Sequence, residues 1–171
     1  MRKKLLHTLI ISIVVSLFSC NNDDSKQDYV DIPTSPVTVN LSQVPYPKLS
    51  DYHFFNGDMK NQAPSLNVIP YTPASSLFSD YAHKKRFVWM PIGVKATFNG
   101  DSNVLELPVG AALIKTFYYD NVQPNNSTRI LETRIMIRKQ TGWIFANYVW
   151  NEAQTEAYLD LNGSFVNISW K

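Results

Sequence analysis

The chain is short of reactive groups, and those it has do not fall at the spacings that build a catalytic centre. It carries three histidines, His7, His53 and His83, and one cysteine, Cys20. Neither His53 nor His83 has a second histidine or a carboxylate at a metal-binding spacing, so a zinc-type site is not expected. Ser164 follows Gly163 but lies outside any G-x-S-x-G elbow, the turn that exposes a nucleophilic serine. Glu152 with Glu156 or Asp160 could form a paired-carboxylate site of the glycosidase kind, against which stands the plainer reading of acids on the solvent side of a sheet edge. No catalytic residue is assigned. The densest polar run is "LFSDYAHKKRF", where Asp80, Tyr81, His83 and Arg86 form a candidate binding loop.

Cys20 has a chemistry of its own, set by what precedes it. Arg2, Lys3 and Lys4 form a basic head, and Leu5 to Phe18 is an apolar stretch interrupted only by His7, Thr8, Ser12 and Ser16. This is the layout of an export signal, and the stretch is shorter than the about 20 residues a membrane-crossing helix needs. It closes as Leu17-Phe18-Ser19-Cys20, which resembles the lipobox of bacterial lipoproteins. The resemblance implies cleavage before Cys20 and acylation of its thiol by chains such as palmitate. Residues 1–19 are then the leader, and the membrane is a partner through the acyl chains. A plain signal peptide with an incidental cysteine is the competing reading, but it leaves an unpaired thiol in an oxidising compartment. Asn21 to Asp24 resemble the acidic signal that takes some Gram-negative lipoproteins to the cell surface, so the expected location is the outer membrane, facing periplasm or exterior.

Without the leader, 13 basic residues stand against 14 acidic ones. The basicity of the full chain belongs to its export signal, and no nucleic-acid partner is expected, since that would require a concentrated basic face. Lys84-Lys85-Arg86 reads as a solvated turn. Residues 20–48, with Pro33, Pro36, Pro45 and Pro47 and few bulky apolar side chains, read as a flexible tether.

Residues 49–171 have the character of a β domain. "RILETRIMIRK" alternates, with Leu131, Thr133, Ile135 and Ile137 on one face and Glu132, Arg134, Met136 and Arg138 on the other. Trp143 to Trp150 is apolar on both faces, as a central strand covered on both sides would be. Further strands are expected at 87–90, 95–98, 104–107 and 113–119, with turns at Asn99-Gly100, 121–127 and Thr141-Gly142. Asn162-Gly163 is the preferred pair for a two-residue hairpin, predicting Leu161 opposite Ser164 and Leu159 opposite Val166. The expected fold is all-β: an antiparallel sandwich or jelly-roll-like domain after a disordered tether. Trp89, Trp143, Trp150 and Trp170 are expected mainly in its core, the alternative being an aromatic platform for sugars.

The runs "LSDYHFF", "VIPYTPASSLFSDYAHKKRFVWMPIG", "LPVGAALIKTFYY", "LETRIMIR" and "YVWNEAQTEAYL" resemble the N-terminal region of a family of bacterial envelope proteins described as conserved hypothetical proteins or diheme c-type cytochromes. The likeness covers residues 49–171. In that family a CxxCH haem motif commonly follows the β region, whereas this chain has no such motif, so no haem-binding residue and no cofactor is assigned within it. Haem c is expected only if a further C-terminal region exists. The resemblance implies a structural or partner-docking role beside a haem domain or redox partner in an envelope cytochrome system. A carbohydrate-binding surface module is the alternative expectation.

Overall fold

The computed structural model describes residues 33–171 except Ser76. The leader and Cys20 lie outside the described residues. Among those described, the structure is all-β and antiparallel, with two short 3-10 turns and no helix long and apolar enough to cross a membrane. A six-stranded sheet runs in chain order: β3 (Ile69–Pro70), β4 (His83–Trp89), β5 (Ala112–Val122), β6 (Ser127–Lys139), β7 (Gly142–Trp150) and β8 (Ala157–Leu159). A small second sheet pairs β1 (Phe55–Asn56) with β2 (Ala63–Pro64). Together with the 3-10 turns Leu49–Tyr52 and Met59–Asn61 it belongs to a second layer.

Period-two alternation builds the core. Phe87 and Trp89 of β4, Ala112 and Ile114 of β5, Ile135 and Ile137 of β6, and Ala146, Tyr148 and Trp150 of β7 all face inward and are buried. Val44, Tyr46, Leu49, Tyr52, Phe54, Phe55 and Val68 cover them. The tether expectation is therefore corrected for residues 37–48. Val44 and Tyr46 are core residues, with Val37, Val39 and Leu41 packed against them.

A closed ring of hydrogen bonds locks this segment in place. The Tyr46 N–H donates to the Tyr52 hydroxyl (3.1 Å), and the Tyr148 hydroxyl donates to the Tyr46 carbonyl (2.8 Å). That uses the one Tyr148 proton, so in the 2.9 Å contact between the two hydroxyls Tyr52 is the donor. Proline content and polarity alone do not show that two tyrosines elsewhere will satisfy one backbone amide and its carbonyl.

The C-terminal hairpin expected at Asn162-Gly163 is absent, for a related reason. Its return strand would need the free edge of β8, and that edge is already taken. Leu159 N–H donates to the Pro47 carbonyl (2.9 Å), and Lys48 bridges Tyr158. Instead the Asp160 carboxylate accepts hydrogen bonds from the Asn162 (2.8 Å) and Gly163 (3.1 Å) amides and from the Ser164 hydroxyl, which hold its pKa below the usual range, the serine contributing most. The chain then reaches the end of β5, where Ser169 accepts from Gln123 N–H (2.8 Å) and Trp170 bridges Val122.

Three smaller expectations also change. Residues 95–98 and 104–107 meet only through the Thr97–Glu106 bridge. A register shift opposite Phe117 and Tyr118 makes Leu131 the extra residue of β6, so that Ile130 takes the core position. Lys84-Lys85-Arg86 lies inside β4 and is not a turn.

Candidate functional site

The second layer covers one face of the large sheet. On the other face the C-terminal segment passes beside Phe117, Leu131, Glu132 and Val149, with Gly163 to Val166 lining a cavity with them, and the rest of that face is open and unusual in composition. Phe145, on β7, is 68% exposed. The expectation that β7 is covered on both sides is thus corrected at Phe145, which meets solvent, while Val149 on the same side is half-buried. Three rows cross this outer face. Val88, Leu113, Met136 and Phe145 form an apolar one, and Lys84, Phe117, Glu132 and Val149 a mixed one. Between them the register sets Arg86 opposite Lys115, Lys115 opposite Arg134, and Arg134 opposite Asn147.

Three cations therefore stand side by side on adjacent strands, about 4.8 Å apart from strand to strand. Like charges directly opposite one another destabilise a sheet. Burial, followed by the charges of Arg86, Lys84 and Arg134, holds the Lys115 pKa below the usual lysine value. One acid offsets the row, as Glu132 Oε1 lies 2.5 Å from the Arg134 guanidinium. Lys115 and Arg134 also sit 4.6 and 4.8 Å from the centroid of Phe117, covering that ring.

A groove of about 480 Å³ opens on this face, a size usual for ligand sites. Leu113, Met136, Phe145 and Leu161 give it an apolar half, and Lys115 and Arg134 a cationic half. Asn147 lines it too, and its buried Oδ1 has no hydrogen-bond donor. The groove offers positive charge beside apolar surface, with the Asp160 carboxylate also on its lining.

The cost of this row can be measured. Lys115→Met is expected to raise stability by about 0.2–1 kcal/mol, the range for a relieved cross-strand pair. Arg134 still covers Phe117, and a methionine sulfur packs well on an aromatic ring, so loss of the cation–π contact is offset. A urea midpoint below that of the wild type would contradict this account of the row.

The candidate loop residues do not converge on this groove. Arg86 belongs to the cationic row, whereas His83 points to the opposite side of β4 in the row of Lys85 and Phe87. There His83 Nε2 lies 3.9 Å from Asp120 Oδ2, with its ring beside Tyr118. Tyr81 is exposed, and the Asp80 carbonyl accepts from the Tyr119 hydroxyl (2.6 Å). His53 caps the first 3-10 turn on the surface. The Glu156 and Asp160 carboxylates have separate partners. Glu156 accepts from the Ser50 hydroxyl (2.6 Å) and amide (3.3 Å), tying the first 3-10 turn to β8, and Asp160 caps its own turn.

Trp89 and Trp150 are buried and Trp143 and Trp170 partly exposed, so the core expectation holds for the first pair. Sequence reading missed Lys115 and Arg134 as a pair. The signal was present as single cations on alternating positions of three strands, but only the register aligns them. Comparison with family models, curated proteins and solved structures finds no match for this chain.

Proposed function

We propose that this chain is an exported lipoprotein of a Gram-negative cell envelope, held at the outer membrane by acyl chains on Cys20, and that its β domain is a docking module. The observation that carries the docking role is the open part of the large sheet's outer face, where Phe145 and its apolar row lie beside three aligned cations. An interaction surface explains why such a face is left bare at a cost in stability. An envelope c-type cytochrome is the partner to which the sequence resemblance points.

The sugar-platform alternative draws less support. It calls for exposed coplanar rings, and among the described aromatic pairs the near-parallel one is Tyr52 with Phe54, both buried. The exposed pair Phe78 and Tyr81 is edge-on at 85°.

A photo-crosslinking amino acid in place of Phe145, with one in place of the equally exposed Phe98 as control, tests the docking role in the native host. A discrete adduct is expected at position 145 alone, containing an identified envelope protein that stains for haem if the cytochrome association is right. Identical patterns at both positions, or none at either, would remove the docking reading. Intact mass reports on the anchor: Cys20→Ala is expected to lose the lipid mass.

A further inference from the structure

We infer that the occupant of the outer-face groove is a segment of a partner protein that combines acidic residues with a bulky apolar side chain, bound by Lys115 and Arg134 on one side, with Arg86 next to them in the same row, and by Leu113, Met136 and Phe145 on the other. The inference rests on the docking reading and specifies its partner.

Charge complementarity gives the first half of the argument. Among the described residues, the row of Arg86, Lys115 and Arg134 has one ion-pair partner, Glu132, while the Asp160 carboxylate on the groove's lining is taken up by Asn162, Gly163 and Ser164. Lys84 adds a fourth charge in the neighbouring row, its ammonium bonded to the Leu77 carbonyl. A single carboxylate would satisfy only part of this row, while two or more acids on one segment can reach several of its members. The second half is the apolar row. Leu113, Met136 and Phe145 run parallel to the cations two residues along each strand, so a ligand that is only charged would leave them in water.

Other occupants fit less well. A polyanionic glycan meets the cations but offers little to Leu113, Met136 and Leu161, and the groove presents a single side-chain amide, Asn147, to its hydroxyls. A bilayer is flat, whereas this site is recessed between Tyr71 on one side and Asp160 and Leu161 on the other. A protein segment can enter the recess and place both kinds of side chain.

The test uses the lipidated full-length protein in detergent micelles and fluorescence anisotropy. The probes are a labelled peptide of repeated Glu-Phe-Glu-Gly units, a version with Lys for Glu, a version with Ser for Phe, polygalacturonate, and vesicles of phosphatidylglycerol. The Glu-Phe peptide is expected to bind, the Lys version not at all, and the Ser version more weakly. Raising salt from about 0.1 M to about 1 M shortens the screening length from about 10 Å to about 3 Å and should weaken binding. Lys115→Met should weaken it about two- to fivefold, the scale of one exposed ion pair.

Glu132→Gln provides a change that misfolding cannot imitate. It releases Arg134 and should tighten binding by a similar factor. Preference for polygalacturonate or for vesicles over the peptide would overturn the inference, as would equal binding of the Glu and Lys peptides. An adduct at position 145 without binding of the Glu-Phe peptide would sink this inference and leave docking intact, while loss of both would remove the two together.

Discussion

Tyr52→Ala is expected to lower the stability of the β domain by about 3–5 kcal/mol, the range for emptying a large aromatic site in a core. Tyr52 is fully buried, stacked on Phe54 at 5.0 Å and edge-on to Tyr148 at 5.9 Å. Its hydroxyl is also a link in the ring that holds Tyr46. Tyr148→Phe separates the two contributions, because it keeps the ring and removes only the hydroxyl. It strands the Tyr46 carbonyl and the Tyr52 proton, and about 1–3 kcal/mol is expected from such unsatisfied groups. Chemical denaturation of the three proteins decides the matter. A Tyr148→Phe variant as stable as the wild type would mean that the ring of hydrogen bonds contributes nothing net.

The same pair makes a pH prediction with a definite sign. Burial raises the pKa of both Tyr148 and Tyr52 above the ordinary tyrosine value of 10.0. A raised folded value means that the native state holds its protons longer than the unfolded chain. The stabilisation is complete below pH about 10 and is lost as pH climbs above it, since unfolding then releases protons. The fall in stability above that pH should be shallower in Tyr148→Phe, because one of the two coupled hydroxyls is gone.

Thr133→Val is expected to cost about 1–3 kcal/mol, although it exchanges side chains of nearly equal volume. Thr116 and Thr133 face each other across β5 and β6, fully buried, with their hydroxyls 2.8 Å apart. The Trp150 indole N–H donates to Thr133 (3.0 Å), and the Gln62 side-chain amide donates to Thr116 (2.7 Å). This chain of contacts links the second layer to the centre of the sheet through an otherwise apolar core. Removing the Thr133 hydroxyl leaves the Trp150 N–H buried without an acceptor. Because the two threonines share a bond, the double variant Thr116→Val with Thr133→Val should cost less than the sum of the single losses. Strict additivity would show that the hydroxyls act independently.

These networks mark where reading the sequence stops being sufficient. Alternation in 127–139 and 142–150 assigned the faces of β6 and β7 correctly, apart from Leu131 at the bulge, because inward and outward positions on a strand are a property of local geometry. Turns at 121–127 and Thr141-Gly142 were legible for the same reason. The all-β class, the antiparallel pairing and the burial of Trp89 and Trp150 followed from aromatic and β-branched content. The two larger errors have one origin. Pro47 and Lys48 occupy the edge of β8, so the segment read as tether is structure and the hairpin read at Asn162-Gly163 has no edge to use. Neither fact is visible in a window of ten residues.

The division is physical. By itself the sequence determined what depends on neighbours along the chain: the all-β class, the faces of the long strands, and the apolar run from Leu5 to Phe18 ahead of Cys20. Only the tertiary structure decided which strands lie side by side, and hence that Arg86, Lys115 and Arg134, 48 positions apart from first to last, stand in one row. Charge and hydrogen bonding act through space over a few ångströms, and register, which one residue of slip would reverse, sets those distances.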